Sequence, residues 1–214
     1  MYYRWKSRLA ANICVVPLEL PGRGHKIGEP YIRDYDGLVK HLARKLIVMI
    51  NKNPTQPYAL FGHSMGALLA YGIASYMAAH RQPLPKKLLV SASAGPSCRD
   101  KERFVQLQAD KELIADLRKQ GGTPDVVFDD AELLRMTLDT LAADYSVCAS
   151  FNYESIAPLA CSVYVFAGRN DEVTQSELQS WQKETNADYA LHWFDGGHFY
   201  LWPQEQKLLA EITG

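Results

Sequence analysis

Residues 62–66 read Gly62-His63-Ser64-Met65-Gly66, a G-x-S-x-G pattern of the kind that surrounds nucleophilic serines. A short apolar run over residues 58–61 precedes the pattern, and apolar residues at helical spacing follow it directly. A strand, a tight glycine turn and a helix in this order predict a nucleophile elbow with Ser64 in a strained conformation at its tip. We expect glycine at positions 62 and 66 because a Cβ at either would clash where strand and helix pack closely. The alternative is an ordinary Gly-Ser turn.

A serine hydroxyl is a weak nucleophile at neutral pH, so Ser64 needs a nearby base. In folds with such an elbow, the acid and then the histidine come later in the chain, each on a loop after a strand. His198 fits this order, because it follows the predicted strand 190–194 through Asp195-Gly196-Gly197. We expect structural roles for the other histidines, which are His25, His41, His63, His80 and His192.

Asp171 is the best candidate for the acid. It follows the predicted strand 162–167 through Gly168-Arg169-Asn170, which places it just past the carboxyl end of that strand. From there it can accept the Nδ1–H of His198 and stabilise the imidazolium. Its neighbour Glu172 is expected to point elsewhere, and Asp195 is better explained as a turn residue.

An oxyanion hole needs two backbone N–H donors. One is expected from the residue after the nucleophile, which is Met65 here. The second normally comes from a loop after an early strand, and no good candidate is visible. The loop Pro21-Gly22-Arg23-Gly24 qualifies only if it lies beside the elbow.

Strand-like apolar runs alternate with helical patterns along most of the chain. The predicted strands are residues 13–20, 58–61, 86–91, 162–167 and 190–194, and helices are predicted after the elbow and over residues 36–50 and 203–212. This alternation predicts an α/β fold with a mostly parallel sheet and helices on both faces.

The alternation stops between residues 95 and 157, where amphipathic helical segments replace the strands. We therefore predict a core of residues 1–94 and 158–214 with a helical lid, residues 95–157, inserted into it. The alternative is a set of crossover helices, but a crossover needs only about a dozen residues.

Composition excludes several classes of protein. The chain has 214 residues, 47% hydrophobic and 22% charged, and its net charge of −1 gives no field for nucleic acid. No signal peptide and no apolar run of membrane-spanning length is present. Four scattered cysteines indicate reduced thiols and a cytoplasmic location. No cofactor or metal site is visible, and we expect a monomer.

Four motifs, taken together, resemble the type II (external, editing) thioesterases of nonribosomal peptide and polyketide assembly lines. They are Gly62-His63-Ser64-Met65-Gly66-Ala67, Pro21-Gly22-Arg23-Gly24, Ala142-Ala143-Asp144-Tyr145 and Gly196-Gly197-His198-Phe199-Tyr200-Leu201. The resemblance implies an α/β-hydrolase fold with a helical lid. It implies that Ser64 is the nucleophile, Asp171 the acid and His198 the base. It also implies substrates that are acyl or aminoacyl thioesters on the phosphopantetheine arm of carrier proteins, cleared when an arm is stalled or mis-primed.

The sequence departs from this family at its start. Members usually open with a strand and a Pro-His-Ala-Gly-Gly type of loop, which supplies the second oxyanion donor, and both are missing before residue 5. Two explanations are open: a recorded chain that is shortened, which we favour, or a short and catalytically impaired protein. Two rival functions also stay open, a general esterase or acyl-CoA thioesterase on the same fold, and a carrier-binding pseudo-hydrolase.

Overall fold

Four parallel strands form one sheet in the order β1-β2-β3-β4. They are β1 (Ala59–His63), β2 (Lys87–Ser91), β3 (Ser162–Gly168) and β4 (Tyr189–Phe194). The computed structural model describes residues 2–213. Because every pairing is parallel, the carboxyl ends of all four strands lie at one edge of the sheet. Residues that follow these strands are therefore brought together, however far apart they are in the chain.

Helices cover both faces of the sheet. They are α1 (Tyr2–Trp5), α2 (Tyr35–Lys52), α3 (Met65–Ala79), α4 (Glu102–Gln106), α5 (Asp110–Gln120), α6 (Asp125–Asp129), α7 (Ala131–Ser150), α8 (Gln175–Gln179) and α9 (Glu205–Thr213). Side chains alternate across the strands, as in β2, where Leu88 and Val90 join the core beneath α2 and α3. Leu89 faces the opposite core, formed with α1 and α9. The α/β class with helices on both faces is confirmed.

The α2 helix shows how local sequence produces these elements. The Asp34 side chain caps it by accepting the Gly37 N–H at 2.7 Å. Its buried residues are Tyr35, Leu38, Val39, Leu42, Ala43, Leu46 and Ile50, a stripe at helical spacing that packs on α3. In contrast α3 is buried almost all round, which makes it the central helix. No helix in the described part of the chain is long and apolar enough to cross a membrane.

One predicted strand is wrong. Residues 13–20 form no β ladder, and Ile13 and Val16 are exposed, although Leu18 and Leu20 still pack against the core. Within residues 2–213 the sheet ends at β1, so no strand lies beside this run to accept its hydrogen bonds. An apolar, β-branched sequence is not sufficient for a strand, because its backbone groups need a partner strand.

The helical insertion, by which we mean α4–α7, lies between β2 and β3 and has a small core of its own. Leu113, Leu138 and Tyr145 form the buried centre of this core. Arg23, on the Pro21-Gly22-Arg23-Gly24 loop, joins the insertion to the rest of the protein through Asp144 on α7, with N–O distances of 2.7 and 2.9 Å. The division at residues 95–157 stays a prediction.

The junction between β1 and α3 is closely packed at one glycine only. A Cβ on Gly62 would overlap the Gly66 carbonyl and the Ala67 amide, which are backbone atoms and cannot move aside. The expected clash at Gly66 is wrong, because nothing lies within 4 Å of the place where its Cβ would be. The Gly66 position is the second residue of α3, and its Cα–Cβ direction points into open space.

These two glycines make a matched pair for a stability test. We expect Gly62→Ala to lower the free energy of unfolding by about 2–4 kcal/mol, because strand and helix must separate. Gly66→Ala should be neutral or raise it by up to about 1 kcal/mol, since alanine favours helix over glycine. Urea unfolding of the two variants measures the difference, and equal midpoints would contradict this description of the junction.

Candidate active site

The elbow places Ser64 in a strained conformation, as predicted. Its φ of 56° and ψ of −119° lie where non-glycine residues are rarely found. The Ser64 N–H donates to the Ser91 carbonyl at 2.8 Å, and the Ser64 carbonyl accepts from Ala67 at 3.0 Å. The Ser64 side chain makes no capping hydrogen bond to α3, so the helix does not occupy its hydroxyl.

The structure brings His198 and Asp171 together. The Nδ1 of His198 lies 3.1 Å and 3.2 Å from the two carboxylate oxygens of Asp171. Both side chains are largely enclosed, with 14% of His198 and 3% of Asp171 exposed. With Nδ1–H donated to the carboxylate, Nε2 is left as the nitrogen that can accept a proton.

The pKa of Asp171 lies below its usual value. Burial opposes ionisation of this carboxyl, but the hydrogen bond and the charge of His198 outweigh it, helped by the Glu172 N–H at 2.7 Å. Asp171 is therefore a carboxylate in the folded protein and can stabilise a protonated His198.

A close contact between two loops makes this pair possible. The Asn170 N–H donates to the Gly196 carbonyl at 2.9 Å, so the loop after β3 is bonded to the loop after β4. A Cβ on Gly168 would overlap the carbonyls of Gly196 and Gly197. Sequence analysis treated Gly168 only as a spacer, but the backbone contact requires glycine there.

His198 also lies beside the elbow. Its ring centroid is 5.0 Å from that of His63, the residue directly before Ser64. The structure therefore places the imidazole–carboxylate pair and the serine turn at the same edge of the sheet. The described contacts include no hydrogen bond between the Ser64 hydroxyl and His198. Hydrogen bonds between a nucleophile and its base are often longer before substrate binds.

The Met65 amide is suited to bind an oxyanion. Met65 is the first residue of α3, and the first amides of a helix have no partner within the helix. The positive end of the helix dipole adds to the attraction for negative charge.

The loop Pro21-Gly22-Arg23-Gly24 is engaged elsewhere. The Gly22 N–H donates to the Lys26 carbonyl at 3.0 Å, and Arg23 binds Asp144 on α7. The Arg23 side chain therefore anchors the helical insertion, and none of the described contacts of residues 21–24 joins this loop to the Ser64 elbow.

His63, for which sequence analysis expected a structural role, is held in place at the elbow by a hydrogen bond. Its Nδ1 is 2.9 Å from the Ser91 hydroxyl, which is 2.7 Å from the buried Tyr200 hydroxyl. Burial lowers the pKa of His63 to about 3, and the charge of His198 acts in the same direction while Asp171 opposes it. His63 is therefore a neutral imidazole at the elbow. Its position inside the G-x-S-x-G pattern was the available signal.

The lowered pKa of His63 predicts a specific pH dependence of stability. In the unfolded chain its pKa is about 6.5, so the unfolded state binds the extra proton between about pH 6.5 and pH 3. The free energy of unfolding is therefore unaffected by His63 above about pH 6.5. Below that pH, His63 lowers it by up to about 1.4 kcal/mol for each pH unit. We expect His63→Asn to flatten the decline in the free energy of unfolding between about pH 7 and pH 5.

Urea unfolding of the wild type and His63→Asn at a series of pH values measures the two slopes. Identical slopes for the wild type and His63→Asn would show that His63 titrates normally.

Among residues 2–213 no group of three or more His, Cys, Asp or Glu side chains is arranged to hold a metal ion.

Similarities to known proteins extend over nearly the whole chain. The sequence profile of the Thioesterase domain family matches residues 1–213. Linear gramicidin dehydrogenase LgrE of Brevibacillus parabrevis is 32% identical over 216 residues, which cover 99% of this chain and 81% of that protein.

Solved structures agree with the fold. The type II thioesterase BorB from the borrelidin biosynthetic cluster superposes with a TM-score of 0.84 at 35% identity, covering 99% of this chain and 85% of BorB. The RedJ thioesterase from the prodiginine pathway in Streptomyces coelicolor gives 0.85 at 32% identity, covering 97% and 82%. These likenesses confirm the α/β-hydrolase fold and the resemblance to type II thioesterases drawn from the motifs. The chain belongs to the thioesterase domain family and is a hydrolase of that family.

Proposed function

We propose that this protein hydrolyses acyl or aminoacyl thioesters carried on the phosphopantetheine arm of carrier proteins, and so clears stalled intermediates. The observation that carries this proposal is the His198–Asp171 pair beside the strained Ser64 elbow. BorB and RedJ belong to the borrelidin and prodiginine biosynthetic pathways, which supports a carrier-bound substrate here.

In the proposed reaction the Ser64 oxygen attacks the thioester carbonyl while His198 Nε2 takes the hydroxyl proton. Asp171 stabilises the imidazolium, and the Met65 N–H binds the developing oxyanion. The C–S bond breaks, the leaving sulfur takes the proton held by His198 Nε2, and an acyl-serine ester is formed. Water then attacks this ester with His198 as base, which releases the acid and restores Ser64.

Thioesters suit this site because the leaving group is weakly basic. A thiol has a pKa of about 8–9, so the site need not protonate a strongly basic leaving atom. An oxygen ester needs similar groups, so a general esterase or acyl-CoA thioesterase stays the second candidate.

We infer that the helical insertion is a lid that controls access of the acyl group. Four apolar residues of α7 are candidates to line an acyl channel: Leu133, Met136, Leu138 and Leu141. Leu138 is buried in the core of the insertion and so is not free to contact substrate, whereas Leu141 is partly buried against that core. Leu133 and Met136 are 42% and 44% exposed, and they stay candidates.

Three basic residues lie at the start of the insertion: Arg99, Lys101 and Arg103. Their contacts argue against a surface that docks an acidic carrier. Arg99 donates to the Ser93 hydroxyl and the Cys148 sulfur, and Arg103 binds Asp116 and Glu172. Lys101 bonds to Asn152 at 2.8 Å. Each of these cations already bonds to another group of this protein, so we assign them no role in binding the carrier.

Substitution of Ser64 and of Asp171 tests the proposal. On an acyl-loaded carrier protein we expect Ser64→Ala to abolish turnover and Asp171→Asn to lower kcat by about 10⁴-fold, since asparagine favours the wrong imidazole tautomer. Release of the acid, followed by liquid chromatography, measures the rate. Unchanged turnover in Ser64→Ala would refute the assignment.

The rival functions are separated by two further measurements. Faster hydrolysis of acyl-CoA or nitrophenyl esters than of the loaded carrier would favour the general esterase. A fluorophosphonate that fails to label Ser64 in the wild type would favour the carrier-binding pseudo-hydrolase.

A further inference from the structure

Glu172 bonds both to the candidate catalytic acid and to the helical insertion. Its backbone N–H donates to Asp171 Oδ1 at 2.7 Å. Its carboxylate points the other way, where one oxygen lies 3.1 Å from Arg103 Nη1 on α4 and the other 2.6 Å from Lys119 Nζ on α5. The expectation that Glu172 points away from the site was correct, and its target is the insertion.

The two cations hold Glu172 as an ion. The Lys119 hydrogen bond, followed by the charges of Arg103 and Lys119, keeps the pKa of Glu172 below its usual value despite partial burial. Arg103 is itself fixed, because its Nη2 binds the buried Asp116 at 2.9 Å. Asp116 also accepts hydrogen bonds from Tyr145 and Gln120, so this anchor belongs to the rigid core of the insertion.

A second contact joins the insertion to the loop that carries the candidate base. Gly122, between α5 and α6, has a φ of +83° and approaches Phe199 so closely that a Cβ would overlap the ring. Phe199 follows His198, and their rings meet edge-on with centroids 5.1 Å apart. The insertion therefore touches both loops of the His198–Asp171 pair.

Solvent limits what the ion pairs contribute to folding. Lys119 is 64% exposed and Glu172 is 45% exposed, so their attraction is screened and contributes little to overall stability. A weak interaction can still select one loop position, because Glu172 and Asp171 are adjacent and share a hydrogen bond.

We propose that Glu172 is a positioning residue: its ion pairs with Arg103 and Lys119 hold Asp171 in place for His198, and thereby couple the position of the insertion to the competence of the site. This inference rests on the proposed function of Ser64, His198 and Asp171. The competing explanation is a surface charge that acts on His198 only through its electric field.

The two explanations predict different kinetic effects when Glu172 and its partner Lys119 are substituted. If the ion pair positions Asp171, Glu172→Gln and Lys119→Gln should each lower kcat on a small acyl-pantetheine thioester by about 3- to 10-fold. The kcat of the double variant should then be no lower than that of either single variant. If only the field matters, the two substitutions should move the acid limb of the kcat/KM pH profile in opposite directions, because they remove charges of opposite sign.

Asp110→Asn is the matched control. Asp110 lies on α5, is 58% exposed and pairs with Arg135 on α7, so this ion pair stays within the insertion. Its removal takes away one negative charge and one ion pair of the insertion without touching Glu172, so kcat should stay at the wild-type value. Raising KCl from about 0.05 M to about 1 M should lower kcat of the wild type but not of Glu172→Gln.

The rate at which a fluorophosphonate labels Ser64 is a second readout that needs no thioester. Slower labelling in both single variants supports the coupling. Wild-type labelling and kcat in Glu172→Gln, or additive effects in the double variant, would overturn it. Failure of the wild type to label or to hydrolyse thioesters would instead reject the proposed function.

Discussion

The hydrogen bond between His198 and Asp171 is the interaction on which the proposed chemistry depends. It joins loops that follow neighbouring parallel strands, and those loops meet through backbone because Gly168 carries no side chain. The bond selects the tautomer in which Nε2 can take a proton. Without it Ser64 would be a weakly nucleophilic hydroxyl on a strained turn.

That strain is sustained by the packing around the elbow. A serine backbone at positive φ costs about 1–3 kcal/mol of folding free energy, and it persists only where the surrounding structure enforces it. Here β1 and α3 approach at Gly62, the Ser64 amide is tied to Ser91, and His63 is held by the Ser91 hydroxyl. The same residues that hold the serine also bury the neutral imidazole of His63 beside His198, so the stability of the turn and the electrostatics of the candidate site have one origin.

Much of the fold and the candidate site could be predicted from sequence because the signals are local. Apolar runs, glycine turns and helical stripes identify strands and helices, and parallel topology then gathers the residues after the strands. The rest depends on contacts distant in sequence. Residues 13–20 have strand propensity but no partner strand. Whether a Cβ at Gly66 would clash depends on the direction of its Cα–Cβ bond, and Glu172 binds Arg103, which is 69 positions away in the chain. The neutral state of His63 likewise depends on its buried neighbours, which its position in the motif does not reveal.

Trapping the acyl-enzyme tests the central claim most directly. The wild type and His198→Ala are mixed with an acyl-loaded carrier protein, quenched within one turnover, digested and analysed by mass spectrometry. We predict an acyl adduct on the peptide that contains Ser64 in the wild type and none in His198→Ala. Release of the acid by the wild type with no adduct on Ser64, or with an adduct on another residue, would contradict the account.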